Sequence, residues 1–256
     1  MAKRREVPEY IHQEDFLVAK DKIIGKAHNT QGIGTLSEKT VHAVLKNFVE
    51  PDLDQQEVAL DGYFADIYHN GEVVEIQTRQ FNKLREKLAV FLNHYPVTVI
   101  YPIPYYKWLS WIDEKSGEMS EARLSPRHMN EYDAFFELYK IKMHLKNPNL
   151  RIHLYLMDME EYKLLNGWDK TKKHGAWRYD RIPLGIRKIV TIDQPEDYLQ
   201  FVPVELEGQW TSADFAKAAK IPKAKATNVL GLLYYMGAVQ RVGKRGNSYL
   251  YEVGDE

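Results

Sequence analysis

The dipeptide Asn70-Gly71 constrains this chain more than any other feature. It separates two strand-like runs, 58–68 and 72–78. Asparagine and glycine both accept the positive φ that a two-residue type I′ turn demands, so the pair predicts a hairpin. A two-residue turn also fixes register. His69 then faces Glu72, Tyr68 faces Val73, Ile67 faces Val74 and Asp66 faces Glu75. Opposed side chains share one face, with Cβ atoms about 4.5–5.5 Å apart. Gln77, two residues beyond Glu75, shares that face as well. Two carboxylates and an amide therefore converge.

Like charges directly opposite one another destabilise a hairpin. A solvated edge hairpin tolerates such a pair cheaply, and that reading stands as one alternative. The other follows from the neighbours: Phe64, Ala65, Ile67, Val73, Val74 and Ile76 supply apolar side chains on both faces. Strands that are apolar on both faces are usually buried. Buried paired carboxylates need a compensating cation, and a divalent metal provides one. A set of oxygen ligands suits Mg²⁺ or Mn²⁺ better than zinc. Such an ion activates water and stabilises charge on a phosphodiester.

Elements of both kinds surround the hairpin. Leu36, Thr40, Val41, Val44, Leu45 and Phe48 recur at helical spacing, with Thr35 or Ser37 as cap and Pro51 beyond the end. Residues 80–92 read as an amphipathic helix, with Phe81, Leu84, Leu88, Phe91 and Leu92 on one side. Residues 97–103 form an apolar run bounded by prolines, the pattern of a buried strand. A second hairpin is predicted from 108–112 and 119–124, then a helix over 131–145 and a strand over 150–157. This order predicts a mixed α/β domain over 31–165, after an N-terminal segment 1–30.

Residues 166–190 change character. They carry seven basic side chains against Asp169 and Asp180 and read as part of a basic connector, 166–194. A small second domain is predicted over 195–256. Residues 211–220 form a short helix capped by Thr211 or Ser212, Ile221-Pro222 interrupts, and 223–236 form a second helix ending at Gly237. A hairpin follows around 243–247. Helix, tight turn, helix and two-stranded wing is the order of a winged helix-turn-helix. From Gly208 to Leu250 there are seven basic residues and one acid, Asp214, in a chain of formal net charge −1. That asymmetry suits a phosphate backbone. Lys223, Lys225 and Asn228 would open the recognition helix, and Lys244 and Arg245 would tip the wing. A winged helix used for dimerisation or another protein contact is the alternative.

Other chemistries lack their residues. The chain has no cysteine, which excludes disulfides, thiolate zinc sites and cysteine nucleophiles. Its histidines show no metal-ligand spacing, and Gly32-Ile33-Gly34 lacks the third glycine of a dinucleotide fingerprint. No run approaches a membrane span or a signal core, so a cytoplasmic protein without a membrane partner is expected.

Asp66, Glu75-Ile76-Gln77, a preceding helix bearing Glu38 and the following helix 80–92 together resemble the PD-(D/E)XK nuclease superfamily. The likeness covers roughly 30–160 and is strongest over 35–103. The whole chain also resembles an uncharacterised prokaryotic family that pairs such a core with a C-terminal winged helix. The resemblance implies a restriction-endonuclease-like mixed sheet flanked by helices. It implies metal binding by Asp66 and Glu75, with Glu38 as the assisting helical acid. Gln77 stands where the superfamily usually has lysine, and Gln80 falls near the pocket. Glutamine can hydrogen-bond or ligate weakly but carries no charge. On its own, Glu38 is equally a first-turn glutamate favoured by the helix dipole, and Glu57 reads as a strand-end surface residue. The implied function is a Mg²⁺- or Mn²⁺-dependent nuclease acting on DNA, with RNA open. The competing implications are a non-catalytic DNA-binding regulator on a degenerate scaffold and a homodimerising interaction protein.

Overall fold

The computed structural model describes residues 9–30, 39–113, 115–165 and 177–254. Its helices are α1 (Gln13–Thr30), α2 (Lys39–Val49), α3 (Arg85–Phe91), α4 (Phe135–Leu138), α5 (Ser212–Ala218) and α6 (Lys223–Met236). Its strands are β1 (Gln56–Leu60), β2 (Tyr63–His69), β3 (Glu72–Ile76), β4 (Val97–Asp113), β5 (Arg123–Leu124), β6 (Leu150–Leu165), β7 (Trp177–Ile192), β8 (Trp210–Thr211), β9 (Val239–Arg245) and β10 (Ser248–Val253). The fold is mixed α/β, as expected at that coarse level. A seven-stranded sheet runs β1-β2-β3-β4-β6-β7 with β5 beside β4, and helices flank it. The sheet is mixed, because β2 and β3 pair antiparallel while β3 and β4 pair parallel. Glu38 lies outside the described residues, as do Thr35, Ser37 and the Gly32-Ile33-Gly34 stretch.

The described residues divide into two compact units, one drawn from Met1–Val58, Pro102–Asn130 and Tyr155–Ile189, the other from Ala59–Tyr101, Glu131–Leu154 and Val190–Glu256. The second unit contains the hairpin. Asn70 (φ 51°) and Gly71 (φ 85°) both adopt positive φ, and the ladder pairs Ile67 with Val74, Tyr68 with Val73 and His69 with Glu72. Parallel strands cannot be joined by a tight turn. The chain therefore leaves β3 through a 3₁₀ turn, Phe81–Leu84, and α3 before returning as β4. Phe81, Leu84, Leu88 and Phe91 bury that crossover. An aromatic cluster holds the rest of this unit: Phe135 meets Phe201 at 5.0 Å, and Tyr132 meets Phe215 at 6.0 Å. Around it sit α5, α6 and a three-stranded sheet ordered β8-β10-β9. Thr211 caps α5 through a reciprocal capping box with Asp214.

The first unit packs α1 against α2, with Phe16 edge-on to Phe48 at 5.6 Å. Its polar node is Asp158, fully buried and gripped by Arg187 through two 2.7 Å bonds. The Tyr10 hydroxyl donates to the same carboxylate at 3.0 Å. Gly185 admits the Tyr10 ring so closely that a Cβ there would lie 2.5 Å from it.

Several elements differ from the sequence reading. The run 58–68 is not one strand, because Asp61 and Gly62, both at positive φ, turn the chain between β1 and β2. The strand predicted over 97–103 extends through Pro102 and Pro104 to Asp113. The parallel ladder with β3 ends at Ile100, so the prolines lie beyond it. The helix predicted over 131–145 is one α-turn between 3₁₀ segments. The basic connector is, over 177–192, a sixteen-residue strand. Its buried Ile186, Val190 and Ile192 are interleaved with arginines and lysines that mask the strand pattern. Residues 195–254 fall in the same compact unit as the hairpin and α3.

Candidate functional site

The hairpin brings Asp66 and Glu75 together. The Asp66 amide donates to Glu75 Oε1 at 3.4 Å, and the Ile76 amide donates to Asp66 Oδ2 at 2.7 Å. Each carboxylate thus bonds a backbone amide of the other strand, just beyond the last ladder pair, Ile67 with Val74. Glu75 is 3% exposed, while Asp66 is half-buried. Burial, reinforced by the Asp66 charge, pushes the Glu75 carboxyl up to about 8, even though Lys87 pulls the other way. A buried acid beside a second acid resists ionisation until a cation arrives.

Lys87 is the partner that the sequence reading missed. It projects from α3 and sets Nζ 2.6 Å from Glu75 Oε2. Its stem lies over the Phe91 ring, with Nζ 5.7 Å from the centroid. A trace of it was present in the sequence. Leu84, Lys87 and Phe91 follow helical spacing, so a lysine occupies an inward position on an otherwise apolar face. Gln77 is half-buried, just past the end of β3. Its amide nitrogen donates to the carbonyls of Arg79 and Gln80 and braces the turn into the crossover. Gln80 itself is exposed, at φ 59°. Glu57 is an exposed partner of Lys46.

Among the described residues, no three acids or histidines gather as a metal cage. The pair does fit a hard divalent ion in its chemistry, since it offers two carboxylates in a site where burial disfavours their joint negative charge. Asp66 and Glu75 would hold such an ion. Lys87 already meets part of the same electrostatic need.

The C-terminal candidates separate. Lys225 is part-exposed and bonds Asp133 at 2.7 Å, and α6 packs against α4. Asn228 is half-buried. Lys223 is exposed at the start of α6, and Lys244 and Arg245 are exposed at the end of β9. Lys244 rests over Tyr249 at 5.2 Å, and Arg245 stands 3.9 Å from Asp214. Arg241 is a further exposed cation of β9. It lies between Tyr234 and Tyr249, at 4.5 and 4.3 Å from their centroids.

Residues 39–193 match the family described as "Domain of unknown function (DUF8091)". An uncharacterized protein from Treponema pallidum (strain Nichols) is 26% identical over 167 residues, covering 65% of this chain and 64% of that protein. The matched stretch is therefore less than two thirds of that relative's length. No solved structure matches. No helix among the described residues is long and apolar enough to cross a membrane.

Proposed function

The chain belongs to the DUF8091 family, and for it we propose a metal-dependent phosphodiesterase acting on DNA in the cytoplasm. In this reading a restriction-endonuclease-like core holds the chemistry, and residues 195–254 form a winged helix that supplies DNA affinity. One observation carries it: the hairpin brings Asp66 against Glu75, which is buried, so two carboxylates meet at one site. Asp66 and Glu75 would hold Mg²⁺ or Mn²⁺, which would supply Lewis-acid polarisation of a phosphoryl oxygen and a lowered pKa for a bound water. Lys87 supplies the fixed positive charge that Gln77 cannot, and its ion pair orients the Glu75 carboxylate. Glu38 remains in the proposal as the assisting acid. On the nucleic-acid side Lys223, Lys244 and Arg245 are the contact residues, and Lys225 is withdrawn from that role.

The test is cleavage of a plasmid and a single-stranded oligonucleotide in Mn²⁺, with Mn²⁺ binding measured by calorimetry on the same preparations. Wild type should bind and cut. Asp66→Ala should lose both while keeping its circular dichroism. Cleavage that persists in purified Asp66→Ala protein defeats the assignment. The second reading, a DNA-binding protein that does not cut, is favoured by the Lys87 ion pair, which neutralises Glu75 without a metal. It requires DNA binding by wild type with neither Mn²⁺ uptake nor cleavage.

A further inference from the structure

Glu161 is surrounded by more positive charge than it can neutralise. It is 4% exposed and lies on β6 in the first unit. Arg181 approaches it at 2.8 Å, Lys107 at 3.2 Å, Arg178 at 3.6 Å and Lys163 at 4.0 Å. One carboxylate thus gathers four cations from β4, β6 and β7. Burial alone would raise the Glu161 carboxyl, but Arg181, Lys107 and Arg178 outweigh it and hold the group at about 2. The cations carry the cost of crowding. Burial pushes Lys107 below its ordinary value; Glu161 opposes that shift, while Arg181 and Arg178 add to it.

Among the described residues, two nearby acids have other partners. Glu160 accepts from the Tyr162 hydroxyl at 2.7 Å. Asp180 accepts from the Thr40 hydroxyl at 3.0 Å and the Arg181 amide at 2.7 Å. Further positive charge stands beside the cluster instead. Trp111 holds Arg123 at 4.6 Å and Lys163 at 5.8 Å from its ring centroid. A buried glutamate needs one or two partners to be satisfied. Four, with an aromatic ring aligning one of them and a fifth cation, make a preorganised anion receiver.

We propose that the face formed by Lys107, Lys163, Arg178, Arg181 and Arg123 around Trp111 binds the phosphodiester backbone of DNA. Glu161 is a positioning residue here: it fixes the guanidinium forks and ammonium groups before a ligand arrives. Phosphate suits this arrangement because planar guanidinium groups bond its oxygens in pairs. Cations interleaved with an aromatic ring suit a nucleic-acid strand better than an acidic peptide. The surface explains the basic residues of 177–181, which the sequence reading assigned to a connector. The inference rests on the reading of this chain as a protein that acts on DNA, but not on its metal site.

The experiment is fluorescence anisotropy of the full chain with a fluorescein-labelled 20-base-pair duplex, in EDTA, across a salt series. Lys163 and Arg178 are the most exposed of the four cations, at 30% and 40% of their side-chain surface. The Lys163→Gln/Arg178→Gln variant should bind about tenfold more weakly and flatten the salt dependence by about two logarithmic units per unit. Lys163→Arg should bind like wild type. Unchanged affinity and slope in a double variant that melts like wild type overturn the proposal, as does a wild type that does not bind the duplex. Weaker binding with an unchanged slope overturns it too, since that marks a structural effect. If the double variant misfolds, Arg178→Gln alone is read against half the slope change. Mn²⁺ calorimetry on the Lys163→Gln/Arg178→Gln protein should match wild type, so failure of the nuclease reading and failure of this surface give different results.

Discussion

Glu75 is where pH enters the candidate site. Its carboxyl titrates near 8 in the folded protein and near 4.5 in an unfolded chain. Between those values the folded state holds a proton that the unfolded state has released. Stability from this group is therefore complete below the unfolded value and is lost as pH rises through about 8. The metal-free protein should melt at progressively lower temperature from about pH 5 to about pH 8, and Glu75→Gln should remove that slope. An ion held by the carboxylates must displace the same proton. Mn²⁺ affinity should rise over the same window, and calorimetry at pH 7 should give heats that scale with the buffer's ionisation enthalpy. A Mn²⁺ affinity independent of pH would mean that the ion does not sit on Glu75.

At the scale of elements, the hairpin turn decides whether Asp66 meets Glu75 at all. A slip of one residue sends every side chain of a strand to the opposite face. Gly71 holds φ 85°, a region that β-branched residues avoid. Gly71→Val should cost about 1–2 kcal/mol in urea denaturation and weaken any Mn²⁺ binding along with it. Gly254→Ala serves as a poor control, because a Cβ there would strike the Gly237 carbonyl at 2.5 Å. Gly25→Ala, where a Cβ meets nothing within 4 Å, is the better one. The same turn shows what was legible in the sequence. Asn70-Gly71 announced its hairpin, because turn chemistry is local and a two-residue loop fixes register. Asp61-Gly62 carried the same chemistry and was read through, since apolar residues flank it on both sides. Asp66 and Glu75 were legible as a pair from register alone. Lys87 was not, because its contact depends on how the crossover seats α3 against β3. β7 was hidden by its cations, whose partner Glu161 lies on a different strand.

For the molecule as a whole, near-neutrality dictates how it can approach DNA. With a formal net charge of −1, the chain has little long-range attraction for a polyanion. Affinity must come from local clusters that neutralise phosphates at contact, and it should fall steeply with salt. The C-terminal module offers two kinds of lysine for separating binding from folding. Lys244 and Arg245 are exposed on the strand end, whereas Lys225 is tied to Asp133, which is 9% exposed. Lys244→Ala/Arg245→Ala should therefore reduce the salt slope of duplex binding by about two and leave the melting temperature within a degree or so of wild type. Lys225→Met should do the reverse. It breaks the ion pair with Asp133 and should lower the melting temperature, with the slope unchanged. Anisotropy and thermal melts on the two variants check both halves. A slope that falls for Lys225→Met and not for the strand-end pair would move the DNA contact from the wing to Lys225, against the ion pair it makes with Asp133.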